Sequence, residues 1–264
     1  CTFFLNQNLV HLFSKMKRGI RLANLIAVVS GRNNRFECDE LTGSPKPHLV
    51  LLVQNGVGLL PEFLCHHLRL FEKIHIIDHN SNYDLSAVKQ ERVSVYRANI
   101  ATYFQEEFTN VMVSKVLCDE ALDWLFVLDV DELLPFFSWS EFRDFLNSHS
   151  DRKVIQFSWR NGIPLDHLTH VERRGVSDSE SLMFYKDMST TKKCAVNVRR
   201  MGHNFYIPRS NHRVQYRRNF FGLKSSQFLR VLGHDTGREV YHIVSSSLEN
   251  FSSKIRHFKD VRQK

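Results

Sequence analysis

The sequence predicts an α/β protein: an open, mostly parallel β-sheet flanked by helices, with a C-terminal region of short strands and a closing helix. Three observations carry this. Between residues 48 and 160, short apolar runs alternate with segments of helical spacing, the rhythm of strand–helix–strand units joined by right-handed crossovers. The runs are apolar at successive positions, as in strands covered on both faces. Finally, 264 residues that are 42% apolar can bury the core of one large domain or two small ones, and a charged fraction of 24% excludes coiled-coil, collagen-like and acidic-tail compositions.

Taken in order, residues 1–30 predict an amphipathic helix, with Leu9, Leu12, Phe13, Met16 and Ile20 on one face and Lys15, Lys17 and Arg18 largely off it. Such a helix covers a core, docks a partner or lies on a membrane surface. Gly31, Gly43, Pro45 and Pro47 mark a connector, so residues 1–47 are set apart from a main domain over 48–264. His48–Val53 is the first strand, Leu59–Phe71 a helix, and Lys73–Ile77 the second strand, closed by the turn Asp78–Asn82. A short helix near Asp84–Gln90 precedes the strand Arg92–Tyr96. Phe104, Phe108, Val111, Met112, Lys115 and Val116 keep helical spacing as far as Leu122. Trp124–Asp129 is the fourth strand, Ser138–Asn147 a helix, Lys153–Trp159 a further strand, and Leu248–Val261 the closing helix.

Other classes drop out. Five cysteines, odd in number and without C-x-x-C spacing, encode neither a zinc module nor a disulfide framework; reduced thiols in the cytoplasm are expected. No apolar stretch is long enough to span a bilayer, and no signal peptide is expected. A chain that opens at Cys1 is expected to be a piece of a longer one. Gln54-Asn55-Gly56-Val57-Gly58 matches neither the dinucleotide nor the P-loop order, and H-E-x-x-H and G-x-S-x-G are absent. The surplus of Lys and Arg, 36 against 28 acidic residues, is local. From Met188 to His234 there are ten basic residues and no Asp or Glu, interleaved with Phe205, Tyr206, Tyr216, Phe220, Phe221 and Phe228. That pattern suits an anionic ligand, a sugar acceptor or a single-stranded nucleic acid, with a solvated basic face as the plain alternative.

Chemistry concentrates at Asp129-Val130-Asp131-Glu132. In an extended strand end, Asp129 and Asp131 share a side, and with no cation encoded nearby they would repel unless a divalent ion sat between them; Mg²⁺ or Mn²⁺ with a diphosphate fits such oxygen ligands. The alternative is a solvated acidic turn. Asp78 closes the second strand at the same sheet edge, where it accepts from a nucleobase or ribose, or else builds an Asx turn. His242, read alone, is a packed histidine.

Four segments then assemble in order: QNGVGLLPEFLCHHLRLFEKIHIIDHNSNYDLS, DWLFVLDVDELLPF, FSWRNGIP followed by VERR, and YHIVSSSLENFSSK. Together they resemble the glycosyltransferase family 2-like enzymes of the GT-A fold, in the branch close to glycosyltransferase family 92. The resemblance implies metal-dependent transfer of a sugar from a nucleotide-diphosphate sugar to a hydroxyl on a glycan or lipid-linked saccharide. It assigns residues 48–160 to the nucleotide-sugar half and 161–264 to the acceptor half. Asn55, Asp78 and Asn80 would meet the nucleoside, Asp129 and Asp131 the ribose and the metal–diphosphate, and His242 the Mn²⁺ or Mg²⁺. Asp166 and Glu172 are base candidates by position alone. Gly56 and His79 depart from the family's pattern, so a catalytically degenerate binding module stays open as the alternative. The expected partners are a nucleotide-sugar donor and an anionic or lipid-linked acceptor, with peripheral membrane contact through residues 1–30 as a further expectation. A nucleic acid is not expected.

Overall fold

The computed structural model describes residues 45–55, 59–98, 105–164, 182–186, 192–208, 212–217 and 228–243. Four apolar runs, Pro47–Val53 (β1), Lys73–His79 (β2), Val93–Ala98 (β3) and Trp124–Asp129 (β4), lie side by side in the order β3-β2-β1-β4, every pair parallel. Alternation along each strand splits the core between the two faces. Leu49, Leu51, Trp124, Phe126 and Leu128 point to one face, and Val50, Leu125 and Val127 to the other. The first face is covered by Leu60–His67 (α1) and Trp139–Ser148 (α3), through Phe63, Leu64, Phe142 and Leu146. Gln105–Asp119 (α2) covers the second with Met112, Val113, Val116 and Leu117. Each such side chain contributes about 1.5–3 kcal/mol by leaving water, which is why the apolar runs, rather than the turns, decide the layering.

Local chemistry explains where elements stop. The expected helix over 59–71 ends at His67, because Arg92 donates from Nη2 to the Leu68 and Phe71 carbonyls and from Nε to that of Glu72. A side chain from the residue just before β3 thus satisfies carbonyls that a continuing helix would have used. The expected helix over 84–90 is a single 3₁₀ turn, Ser86–Val88, with Asp84 accepting from both the backbone N–H and the hydroxyl of Ser86. Ser138 caps α3, accepting from the Glu141 N–H at 3.2 Å.

Beyond β4 the sheet continues through Glu132–Leu133 (β5), Val154–Pro164 (β6), Leu182–Lys186 (β7), Lys193–Asn197 (β8) and His234–Ile243 (β12), giving nine described strands in one sheet. Its order runs β4-β8-β6-β12-β5, with β7 on β6. Here direction alternates: β8 is antiparallel to β4 and β6, β5 to β12 and β7 to β6, whereas β6 and β12 are parallel. The unbroken parallel arrangement therefore belongs to the first half, and the second is mixed. An apolar run reports burial on both faces and says nothing of strand direction. A second, antiparallel sheet holds Phe205–Tyr206 (β9), Val214–Arg217 (β10) and Phe228–Val231 (β11), as expected of a region of short strands; Val198–Met201 (α4) links β8 to it. The expected N-terminal helix, its connector up to residue 44, and the closing helix lie outside the described residues. No described helix is long and apolar enough to cross a membrane.

Candidate functional site

Chain direction gathers the chemistry at one edge. β1, β2, β4, β6 and β12 all end there, and β8, running the other way, begins there with Lys193. Ligands of open α/β sheets bind at such an edge.

The turns after β1 and β2 form its first part. Asn55 and Asn80 both adopt φ 53°, a left-handed conformation that asparagine tolerates better than most residues. The Asn55 N–H donates to Ser81 Oγ at 3.0 Å, and the Asn82 N–H donates to Asn55 Oδ1 at 2.9 Å, so the two turns are stitched together. Asp78, 1% exposed, accepts from the Ser81 N–H through Oδ1 at 3.0 Å, and its Oδ2 lies 4.0 Å from Arg97 Nε. The Asx turn weighed from the sequence is therefore present, at the expected edge.

The second part is the acidic strand end. Here a premise of the sequence reading is corrected: a cation does lie beside the carboxylates. Lys193 Nζ sits 2.7 Å from Asp129 Oδ2 and 3.1 Å from Glu132 Oε2, with its side chain 1% exposed. The register explains it, since Phe126 faces Ala195 across the antiparallel β4–β8 pair and the chain two residues earlier in β8 meets the end of β4. Gln105 Nε2 donates to Asp129 Oδ1 at 3.4 Å, and the Asp129 N–H donates to Glu132 Oε2 at 3.0 Å. β4 ends at Asp129 and residues 130–131 turn, so the period of two does not carry through to Asp131. Asp131 faces His242 instead, Oδ2 to Nε2 at 3.6 Å. Among the described residues, no three His, Cys, Asp or Glu side chains converge as a metal cluster.

His242 is held tightly. Its parallel neighbour across β6, Asn161, places Oδ1 2.7 Å from His242 Nδ1, and the ring stacks on Trp159 with centroids 4.7 Å apart. The Nδ1–Asn161 Oδ1 hydrogen bond fixes the ring so that Nε2 faces the Asp131 carboxylate. An imidazole nitrogen and a carboxylate oxygen placed in this way can share a proton or meet a metal ion. Carboxylate oxygen plus imidazole nitrogen suits Mn²⁺ well, with water and a diphosphate as the remaining ligands, so the residues fit the expected cation.

Burial and charge set the rest. Burial pushes the fully enclosed Glu132 carboxyl up to about 7 against the pull of Lys193, with Asp129 and Asp131 adding to the rise. Burial works against the Lys193 ammonium, but Asp129 and Glu132 outweigh it and hold the group charged. His212, edge-on to Trp159 at 5.0 Å, is lowered to about 4 by burial and then by Lys193. Glu132 Oε1, Trp159 Nε1 and His212 Nδ1 are buried without a hydrogen-bond partner. Three orphaned polar atoms around one cluster mark a site that a ligand or ordered water completes. Sequence reasoning missed Glu132, Trp159, Asn161, Lys193 and His212 as site residues. One signal was available for Lys193: a lysine heading the apolar run Lys193-Cys194-Ala195-Val196-Asn197.

Asp166 and Glu172 lie outside the described residues, as do Arg218, Phe220 and Phe221. Within the acid-free stretch, Lys192 pairs with Asp235 and Arg199 with Asp123, so part of its charge is spent on acids from other elements. Tyr206, expected to offer a face to a sugar, donates its hydroxyl to Glu106. Tyr216 is 37% exposed.

No protein-family model matches the chain, and no curated protein matches it. Two solved structures of TarS from S. aureus are similar to it. TarS 1-349 is 13% identical with a TM-score of 0.42, covering 80% of this chain and 63% of that one. The other is 17% identical with a TM-score of 0.43, covering 80% and 38%. The chain thus spans less than two thirds of either.

Proposed function

We propose that this edge binds a nucleotide-diphosphate sugar and transfers the sugar to an acceptor hydroxyl, with Asp131 and His242 as the protein's ligands for Mn²⁺ or Mg²⁺. The observation that carries the reading is His242 Nε2, its ring fixed by Asn161, facing Asp131 at 3.6 Å where the strands end. The stitched turns of Asn55, Asp78 and Asn80 line the same edge, where a nucleoside would lie. Asp129 keeps Oδ1, already within reach of Gln105, on the ribose side, while Lys193 occupies Oδ2. The cation, when bound, offsets the charge that grows on the departing diphosphate. The acceptor is an anionic or lipid-linked glycan, met by the exposed arginines and Tyr216 of the acid-free stretch. A second reading, binding without turnover, is favoured by the internal ion pair that already holds one carboxylate of the motif.

Thermal shift with UDP, GDP, CDP, ADP and TDP, each with Mn²⁺ and with EDTA, tests the proposal, since a ligand selective for the native state raises Tm. One nucleotide is expected to stabilise the protein, and only with the metal. Stabilisation by none of them, or equal stabilisation in EDTA, overturns it. Release of free sugar from the matching nucleotide sugar separates transfer from binding alone.

A further inference from the structure

We propose that Lys193 is a built-in cation that withholds Asp129 from the metal, so that a divalent ion is captured only together with the diphosphate. The inference deepens the nucleotide-diphosphate reading and rests on it.

The ammonium touches Asp129 Oδ2 at 2.7 Å and Glu132 Oε2 at 3.1 Å, bridging two carboxylates as a metal ion would. It is enclosed, with its side chain 1% exposed, so water does not screen it from a second cation arriving at the same oxygens. A divalent ion entering there must displace the ammonium or suffer its repulsion at close range. What remains for metal is the pair Asp131 and His242. Two protein ligands are few for Mn²⁺ or Mg²⁺, which take about six and give up water reluctantly. Diphosphate oxygens supply the rest, and the ion enters with them. Lys193 is therefore a positioning residue that acts through Asp129: it fixes one oxygen, leaves the other toward Gln105, and sets the order in which ligands assemble. A purely architectural ion pair would leave metal affinity indifferent to its removal, and this difference can be measured.

The experiment is Mn²⁺ binding followed by the loss of the free-ion EPR signal, corrected for Mn²⁺ held by nucleotide in solution. The wild type, Lys193→Arg and Lys193→Met are each titrated alone and with UDP, GDP, CDP, ADP and TDP. The wild type and Lys193→Arg are expected to bind Mn²⁺ at least tenfold more tightly with one of the nucleotides than without. Lys193→Met is expected to gain at least tenfold in affinity for Mn²⁺ alone, because Asp129 joins Asp131 and His242. If Lys193→Met does not fold, Glu132→Gln with Lys193→Met removes both charges of the pair and is read the same way. Nucleotide-assisted Mn²⁺ binding in the wild type with no gain in Lys193→Met, or in the double variant that replaces it, overturns the inference and leaves the proposed function standing. Wild type that binds Mn²⁺ alone as tightly as the methionine variant also overturns it. Absence of Mn²⁺ binding with every nucleotide overturns both.

Discussion

The two ends of the sheet bury polar groups in opposite ways. Where β1 and β2 begin, His48 and His75 are each 1% exposed and meet at 3.2 Å, Nδ1 to Nε2, with a single buried atom, His75 Nδ1, left without a partner. Burial lowers His48 to about 3, assisted by His75, and lowers His75 to about 4, so both rings are neutral near pH 7 and share one proton-mediated contact. Where β4 ends and β8 begins, the buried Lys193 ammonium is held against the carboxyls of Asp129 and Glu132, and three polar atoms nearby lack partners. A neutral pair is an inexpensive way to bury nitrogen. A charged triad is costly to desolvate and is commonly no more stable than an apolar replacement. The first end is read as architecture, and the second is the one at which the proposed ligand would be met.

The largest expected effect comes from disturbing the second end. Asp131→Asn should weaken Mn²⁺-dependent nucleotide binding by about two orders of magnitude with little change in Tm, read by calorimetry beside a melting curve. A large fall in Tm with unchanged binding would reverse the roles given to the two ends. Next comes acid. Because the folded values of His48 and His75 lie below the unfolded value near 6.5, their contribution is complete above that pH and is lost as the pH falls from 6.5 toward 4. The slope is on the order of 1 kcal/mol per pH unit for each ring, and urea unfolding at pH 7, 5.5 and 4.5 measures it. His48→Gln with His75→Gln should flatten that slope, leaving the part due to His66, His67 and His212. An unaltered slope would remove the pair from the account. Asn161→Ala frees the His242 tautomer and should cost roughly tenfold in Mn²⁺–nucleotide affinity. Asp78 gives the smallest effect and the finest distinction. Asp78→Ala should cost about 1 kcal/mol of stability by opening the Asx turn, whereas Asp78→Asn keeps the acceptor for Ser81. If nucleotide affinity falls in both, Asp78 touches the ligand; if it falls in neither, the residue only builds the turn.

How much of this could be read beforehand follows from what each signal encodes. The runs that became β1, β2 and β4 were legible because burial on both faces leaves continuous apolar sequence, and the placing of Asp129 and Asp78 at strand ends on one sheet edge was legible because those runs stop there. Lys193 was not, because its role depends on the register of β8 against β4, and a lysine in a basic stretch looks like surface charge. The same holds for Asn161, which matters only as the parallel neighbour of His242. The end of α1 escaped notice for a similar reason: Arg92 lies a full strand away from the carbonyls it caps. Pairwise geometry across the sheet is where local spacing stops informing.

The stack of His242 on Trp159 also makes the site optically addressable. Of the three tryptophans, Trp124 and Trp139 are 2% and 5% exposed within the apolar core, while Trp159 lies between His242 and His212 and 5.8 Å from the Lys193 ammonium. Imidazolium and paramagnetic Mn²⁺ both quench indole emission. Binding of Mn²⁺ at His242, as proposed, would therefore register in a fluorimeter as a dimming of one chromophore against two steady ones, with no label attached.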